Sequence, residues 1–290
     1  MEPRTRKELL LYAKKEFFAV GIADAEVDSW ILLEKYTGIS RSRYYVEPEA
    51  VPAKEQREQF LRAVEERKKH VPLQQITGEQ EFMGLSFLVT KDVLVPRQDT
   101  EHLVEEVLSN AGGKRILDVC TGSGCIILSL EKLGNPSACV GLDISPEALG
   151  VALRNAERLG CGKTEFMESD LFSVLSKKEQ PERKFDIIVS NPPYIESGII
   201  PTLSPEVRLH EPLLALDGGE DGLCFYRTIA KEAGVYLVPG GRIFFEIGYN
   251  QGEAVRKILE NNGYHEIKIK KDYSGNDRVA EAVFQDTEKA

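Results

Sequence analysis

The chain has 290 residues, of which 42% are hydrophobic and 29% charged, and these proportions exclude a disordered or collagen-like protein. Its formal net charge of −10 disfavours a protein that mainly grips a nucleic-acid backbone, because such proteins are usually basic. No apolar run approaches the roughly 18 residues of a membrane-spanning helix, and no secretory signal is visible. We therefore expect a cytoplasmic protein of one large or two modest domains.

The cysteines and histidines give no sign of a metal site. The five cysteines are odd in number and no two have the spacing of a CxxC pair, while the four histidines are scattered. We therefore expect neither a zinc site nor a disulfide framework, and interpret the cysteines as reduced thiols. They are Cys120, Cys125, Cys139, Cys161 and Cys224.

Residues 1–75 are predicted to form a small bundle of three amphipathic helices. Apolar residues recur at helical spacing in 9–17, 27–33 and 60–64, and Asp24 is expected to cap the second helix. This part holds 14 basic and 13 acidic residues, against 23 and 34 in the remaining 215. The charge difference separates a near-neutral helical module from an acidic second domain.

After residue 75 the pattern changes from helical to strand-like. Residues 76–96 are predicted to be a β-hairpin linker, because 82–89 combines glycine with partial period-two apolar spacing. From 97 to 290 helices and strands alternate, which predicts an α/β domain with a parallel sheet covered by helices on both faces. The predicted strands are 115–120, 138–143, 164–168, 185–190 and 241–247, and the predicted helices are 100–109, 125–133, 146–159, 222–237 and 252–262.

A glycine-rich turn separates the first of these strands from its helix. Its glycines let the backbone approach a ligand closely, but the third glycine of a dinucleotide motif would fall at Ile127. The turn also contains no lysine or arginine, which suits a ligand without phosphates. Its candidate cofactor-binding residues are Asp118, Cys120, Thr121, Gly122, Ser123 and Gly124.

Acidic residues follow the next two strands. Asp143 lies 25 residues after Asp118, where a carboxylate can accept hydrogen bonds from ribose hydroxyls. Asp170 can accept from an adenine amino group, and Leu171 or Phe172 can cover the ring. Separately, Asp143 could be a helix cap and Asp170 a turn residue; together they indicate a nucleoside site.

The strand 185–190 leads directly into Asn191, Pro192, Pro193 and Tyr194. The Asn191 side-chain oxygen and the Pro192 carbonyl can each accept a hydrogen bond from an –NH₂ group. The prolines stiffen the loop, and the Tyr194 ring offers a face for a planar group. Together they predict a clamp for an amide or an exocyclic amine. Asn191 is also a candidate contact of the cofactor.

The glycine-rich turn followed by this tetrapeptide resembles S-adenosylmethionine-dependent methyltransferases that act on planar nitrogen. Val95–Glu101 resembles a Pro-Arg-Pro-Asp/Glu-Thr-Glu motif of the peptide chain release factor N5-glutamine methyltransferases, the PrmC/HemK family. The block 211–223 and the stretch Pro72–Gly78 are similar to segments of the same family. The resemblance implies a Rossmann-like methyltransferase domain behind a helical N-terminal module.

The resemblance implies methyl transfer from S-adenosylmethionine to the glutamine of the Gly-Gly-Gln motif in class 1 release factors. Asn191 and the Pro192 carbonyl would hold the amide hydrogens, and Tyr194 would stack on the amide plane. No general base is evident, so the proton is expected to leave to water. The N-terminal bundle is expected to dock the release factor, with no membrane partner and no stable nucleic-acid binding.

Three positions depart from the family pattern: Gln98 and Gln75 replace a usual proline and a frequent tyrosine, and Cys120 replaces the first glycine of the turn. Arg97, with Thr100 and Glu101, is expected to order the segment beside the cofactor, or simply to pair with Glu101. Two other functions stay open. An N6-adenine DNA methyltransferase would flip a base into the same clamp. A non-catalytic regulator would bind the cofactor alone.

Overall fold

The computed structural model describes residues 3–176 and 184–285. Within them, the helices are α1 (Arg6–Ala19), α2 (Ala25–Thr37), α3 (Arg41–Val46), α4 (Lys54–Lys68), α5 (Leu73–Thr77), α6 (Gln98–Leu108), α7 (Cys125–Gly134), α8 (Pro146–Leu159), α9 (Pro205–His210), α10 (Cys224–Ala233) and α11 (Gly252–Asn261). The strands are β1 (Glu79–Phe82), β2 (Leu85–Leu88), β3 (Arg115–Val119), β4 (Ala138–Asp143), β5 (Thr164–Glu168), β6 (Phe185–Ser190), β7 (Leu237–Glu246), β8 (Tyr264–Lys271) and β9 (Asp277–Phe284).

The chain divides into two compact units. The helical unit holds the described residues up to Gly78 together with Ser204–His210, and the sheet unit holds the rest. No helix among the described residues is long and apolar enough to cross a membrane.

The helical unit packs α1, α2 and α4 around one apolar core, as the helical spacing predicts. The short helices α3 and α5 were not predicted. The expected capping role of Asp24 is wrong, because its side chain makes no hydrogen bond to α2. A side-chain cap is found at the first helix, where Thr5 caps α1 in a reciprocal capping box with Glu8. The largest fully buried core side chains of this unit are Phe17, Phe60, Leu9, Leu32 and Leu33.

A buried arginine fastens α9 to the helical unit. Arg67 is 4% exposed, and its guanidinium pairs with Asp28 at 2.7 Å and with Glu206 at 2.5 Å. The Gln75 side chain donates to the His210 carbonyl at 3.0 Å. These bonds explain why a segment more than 120 residues downstream belongs to the N-terminal helices. A buried ion pair requires both partners, because removing one leaves an uncompensated charge.

The sheet unit contains a seven-stranded sheet in the order β5-β4-β3-β6-β7-β9-β8. The first five strands are parallel, with helices along the sheet, so the predicted α/β fold is confirmed. The last two strands are antiparallel and were not predicted, although Ile267 and Ile269 alternate with charged residues in β8. β1 and β2 form a separate antiparallel hairpin, as expected of the segment 76–96.

The chain runs from β3 outward to β4 and β5, then returns to β6 on the other side of β3. The direction of the sheet order therefore reverses between β3 and β6. Open α/β sheets bind ligands at the carboxyl ends of strands beside such a reversal, because the loops there diverge and leave a crevice.

Candidate active site

A cavity of about 220 Å³ lies within the sheet unit at the carboxyl ends of β3, β4 and β6. Most of its lining is apolar, with a few convergent polar groups, which is typical of small-molecule sites. Nine of the residues chosen from the sequence line it: Cys120, Thr121, Gly122, Ser123, Asp143, Asp170, Leu171, Asn191 and Pro193. Five others, Asp118, Gly124, Phe172, Pro192 and Tyr194, are not part of the lining.

The glycine-rich turn alternates left-handed residues. Cys120, Gly122 and Gly124 have φ of +63°, +55° and +78°, so three alternate positions favour glycine. A Cβ at Gly124 would lie 3.1 Å from the Leu128 side chain and 3.3 Å from Ala152 and Phe166, so the packing around this position is tight as well. Cys120 therefore occupies a conformation that explains the glycine usual at this position in the family.

Asp118 stabilises the glycine-rich turn from the buried side, away from the cavity. Its side chain is fully buried and accepts a hydrogen bond from the Thr121 hydroxyl at 2.6 Å. Burial raises the pKa of Asp118 to about 7, although the bond from Thr121 acts in the opposite direction. Asp118 therefore supports the turn without lining the cavity.

Asp143 joins the end of β4 to the turn. Its two carboxylate oxygens accept from the backbone N–H groups of Gly122 at 2.8 Å and Ser145 at 3.0 Å. Burial raises the pKa of Asp143, while these backbone bonds lower it. Ser145, rather than Asp143, caps α8 through its hydroxyl. Each carboxylate oxygen has further lone pairs, so Asp143 can still accept hydrogen bonds from a ligand in the cavity.

Two of the three candidate cofactor-binding residues in the segment after β5 line the cavity. Asp170 is exposed and lines it, and Leu171 lines it in a left-handed conformation with φ of +46°. Phe172 is 1% exposed and instead stacks on Tyr236 with ring centroids 5.0 Å apart. Leu171, not Phe172, is thus the apolar side chain that this segment offers to a ligand.

The loop after β6 places its first residue at the cavity. The Asn191 amide donates through Nδ2 to the Thr100 hydroxyl at 3.3 Å, and both residues line the cavity. The Tyr194 hydroxyl donates to Oε1 of Glu246 at 3.3 Å. Burial, more than the neighbouring Glu246 carboxylate, raises the pKa of Tyr194. The two ends of the loop are therefore anchored to α6 and to β7.

The segment 211–223 wraps around the backbone of Tyr194 and Ile195. The Ile195 N–H donates to the Leu216 carbonyl at 3.0 Å, and the Ile195 carbonyl accepts from Gly218 at 2.8 Å. A Cβ at Gly218 would lie 2.7 Å from Cα of Tyr194, and one at Gly222 would overlap the Tyr194 carbonyl oxygen. Glycine is required at 218 and 222 because the backbone of this block passes directly over the backbone of Tyr194.

The Gln251 side chain bonds to both the loop after β6 and the segment 211–223. Its Nε2 donates to the carbonyls of Tyr194 at 3.0 Å and Gly222 at 3.2 Å, while its Oε1 accepts from the Gly248 N–H at 2.9 Å. The Tyr226 hydroxyl donates to the backbone carbonyl of Glu246 at 2.8 Å.

Sequence reasoning missed Glu246, Gln251 and Tyr226. The available signal was a glutamate inside the otherwise apolar stretch 243–247, since a charged group there is costly unless it has partners.

Arg97 and Glu101 do not pair with each other, as the sequence had suggested, but have separate partners. Arg97 forms an ion pair with the buried Glu211 at 2.6 Å, so the proposed pairing with Glu101 is wrong. Glu101 instead accepts from the Met83 N–H at 2.6 Å and so fastens the β1–β2 turn. The motif at 95–101 is thereby tied to the block 211–223 on one side and to the hairpin on the other.

Comparisons with known proteins agree with this fold. The chain matches the "PrmC N-terminal domain" over residues 8–78 and a "Methyltransferase domain" over residues 110–279. A methyltransferase crystal structure from Pyrococcus furiosus covers 70% of this chain and 89% of its own, with a TM-score of 0.52 and 22% identity. That similarity supports the fold alone, and together with the matched domain it defines the chain as a protein with a methyltransferase fold.

The relatives at higher identity are more specific. The release factor glutamine methyltransferase of Agrobacterium fabrum is 41% identical over 278 residues, covering 93% of this chain and 94% of that protein. The enzyme of the same name from Geobacter sulfurreducens is 41% identical over 276 residues, covering 95% of each. The chain belongs to the release factor glutamine methyltransferase family.

Proposed function

We propose that the protein transfers a methyl group from S-adenosylmethionine to the side-chain amide nitrogen of the glutamine in the Gly-Gly-Gln motif of class 1 peptide chain release factors. The observation that carries this proposal is the Asn191 amide at the cavity. Its Nδ2 is bonded to Thr100, which leaves Oδ1 to accept an N–H from a substrate amide. The names of the relatives support the release factor as substrate.

The residues around the turn after β3 fit the proposed cofactor. The left-handed glycines allow close backbone approach, and Asp143 and Asp170 provide acceptors for hydroxyl and amino groups at neighbouring strand ends. Leu171 supplies an apolar contact. The turn itself contains no basic side chain, consistent with a nucleoside that has no phosphates. When bound, S-adenosylmethionine supplies an electrophilic methyl group on sulfonium.

The remaining task of the chain is to hold and aim the substrate amide. An amide nitrogen is a poor nucleophile because its lone pair is delocalised, so orientation has to supply much of the rate. Asn191 Oδ1 and the Pro192 carbonyl would accept the two amide hydrogens and point the nitrogen at the cofactor side of the cavity. Stacking of Tyr194 on the amide plane stays a prediction. The proton is released to water.

The helical unit is the proposed docking site for the release factor, with 76–96 as the linker to the methyltransferase domain at 97–290. Several apolar side chains of this unit are exposed, including Phe18 at 64%, Tyr45 at 73% and Val46 at 78%. Exposed apolar groups favour contacts with another protein. The proposed location is cytoplasmic, without stable binding to nucleic acid.

The test is methyl transfer from labelled S-adenosylmethionine to a purified class 1 release factor. Parallel samples contain the same factor with the Gly-Gly-Gln glutamine changed to alanine, and duplex DNA. Label on the intact factor alone is the expected result. Equal label on both factors would place the target elsewhere, and label on DNA would support the adenine methyltransferase interpretation.

A further inference from the structure

We infer that Arg97 binds the carboxylate in the amino-acid part of S-adenosylmethionine, and so is a cofactor-binding residue outside the glycine-rich turn. The inference rests on the proposed function, since this cofactor is part of it. Arg97 directly precedes α6, and it lines the cavity at the carboxyl ends of β3, β4 and β6.

The charged groups of the cavity are the main observation. Three aspartates line it, Asp92, Asp143 and Asp170, whereas Arg97 is the only basic residue among the described residues of the lining. S-adenosylmethionine has one anionic group, its carboxylate, beside a cationic sulfonium and a cationic ammonium. The aspartates attract these cations but repel the carboxylate, which therefore requires a positive partner. Within the described lining, Arg97 is the side chain that can provide it.

The order of the strands places Arg97 at the appropriate end of the cavity. Asp143 and Asp170, the proposed partners of the nucleoside, follow β4 and β5 at one edge of the sheet. The first turn of α6 lies on the other side, because the Thr100 hydroxyl is bonded to Asn191 after β6. A cofactor whose nucleoside occupies the β4–β5 side extends its amino-acid part towards β6. Its carboxylate then approaches Arg97.

An ion pair holds the Arg97 guanidinium without using all of its donors. Its Nη2 bonds to the buried Glu211 at 2.6 Å, and no bond of Nε or Nη1 is found to the described residues. A guanidinium has five N–H donors in one plane, so it can bond to Glu211 and to a second carboxylate together. The Arg97 side chain is 43% exposed, which leaves it accessible to a ligand.

The experiment compares the affinities of three ligands by titration calorimetry, so its readout does not depend on catalysis. S-adenosylhomocysteine has both the carboxylate and the ammonium, its decarboxylated analogue has only the ammonium, and methylthioadenosine has neither. We expect Arg97→Met, which removes the charge but keeps a long side chain, to weaken binding of S-adenosylhomocysteine about 10- to 30-fold. The variant should bind the other two ligands at least as tightly as the wild type, because they lack the carboxylate. Retained binding of methylthioadenosine also shows that the variant is folded.

Three further variants separate the charge of Arg97 from its ion pair. Arg97→Lys keeps the charge but not the planar donors, so the loss for S-adenosylhomocysteine should be only about threefold. Glu211→Gln removes the pair but keeps the guanidinium, and should bind this ligand within about threefold of wild type. Arg158→Met is the matched control, because Arg158 is also 43% exposed and pairs with Glu79 at 3.0 Å but does not line the cavity. It should bind all three ligands as the wild type does.

Equal losses for S-adenosylhomocysteine and methylthioadenosine in Arg97→Met would overturn the inference, since Arg97 would then only hold the segment before α6 in place. A loss in Glu211→Gln as large as that in Arg97→Met would overturn it for the same reason. Wild-type affinity of Arg97→Met for S-adenosylhomocysteine would also overturn it, and a raised KM for release factor in that variant would assign Arg97 to the protein substrate.

The proposed function can fail separately. A wild-type protein that binds S-adenosylhomocysteine but leaves the Gly-Gly-Gln glutamine unlabelled would refute the proposed substrate. The difference between the three ligands in Arg97→Met would still decide the role of Arg97.

Discussion

The turn after β3 and the loop after β6 both border the cavity, but different parts of the chain fix their conformations. The turn is held by its own left-handed residues and by Asp118 and Asp143 at the ends of β3 and β4. The loop 191–194 depends on α6, β7 and the segment 211–223. The first is largely a local structure and the second is a tertiary one.

This difference matches what each loop has to do. A nucleoside is recognised by close backbone approach and a few carboxylates, which a short turn beside two strand ends can supply. Orienting an amide requires each acceptor to be held in direction as well as in place, and that takes partners locked by packing. The following predictions test the comparison, from the largest expected effect to the smallest.

Asn191→Ala should lower kcat by about 100-fold or more, since it removes the proposed acceptor for the substrate amide. Binding of S-adenosylhomocysteine should change little, because the turn after β3 is left intact. The measurement is methyl transfer to release factor at saturating cofactor. Asn110→Ala is the matched control, because the only described hydrogen bond of the Asn110 side chain is to the Ser109 hydroxyl. Equal activity of the two variants would contradict the assignment of Asn191.

Gly222→Ala should destabilise the protein by about 3 kcal/mol, combining left-handed strain with overpacking, and lower activity about tenfold. Its φ is +69°, and a Cβ would overlap the Tyr194 carbonyl and lie 2.8 Å from Nε2 of Gln251.

Gly113→Ala is the matched control for that change. Gly113 has φ of +71°, with no described atom within 4 Å of an added Cβ. The substitution should therefore destabilise the protein by about 1 kcal/mol and leave its activity unchanged. Urea unfolding and methyl transfer measure the two variants. Equal losses would show that backbone strain alone, and not support of Tyr194, explains the glycine at 222.

Asp118→Asn should flatten the dependence of stability on pH. Burial raises the pKa of Asp118 to about 7 from 3.8, so the folded state binds a proton more tightly than the unfolded state. The stabilisation that protonated Asp118 contributes is fully present below the pKa of the unfolded state. It is lost as the pH rises through about 7, the pKa of the folded state.

Wild-type stability should therefore fall, relative to Asp118→Asn, between those two pH values. Asparagine keeps an oxygen to accept from Thr121, so the turn is preserved. Urea unfolding at a series of pH values measures the difference, and parallel profiles for the two proteins would show that Asp118 titrates normally.

Cys120→Gly should have the smallest effect, with stability changed by less than about 1 kcal/mol and activity within about twofold. Glycine relieves the strain of φ +63° but gives up the packing of a half-buried side chain. Burial raises the pKa of the thiol, so the cysteine is a neutral group with no charge to lose. A large loss of activity would assign the thiol a direct contact with the cofactor.

The sequence alone predicted the elements whose residues carry their own structural signal. Helical spacing gave the N-terminal bundle, and strand–helix alternation gave five parallel strands. The short helices α3 and α5 were not predicted because they are too short for a helical repeat to be recognised. The two antiparallel strands at the end were also not predicted, although β8 carries a period-two pattern at Ile267 and Ile269. The cap assigned to Asp24 failed because a capping residue type has no effect unless its side chain reaches a free N–H.

At the site, the sequence determined which residue types stand at the ends of consecutive strands. Asp143, Asp170 and Asn191 reach one cavity because the carboxyl ends of parallel strands share an edge of the sheet.

Only the tertiary structure decided the partners of those residues. Thr100 and Glu246 meet Asn191 and Tyr194 from positions 91 and 52 residues away in the chain. No local pattern encodes which donor a buried acceptor will find, because that choice depends on how α6 and β7 pack beside the loop. The sequence therefore specified the chemical groups of the clamp, and packing specified the direction in which they point.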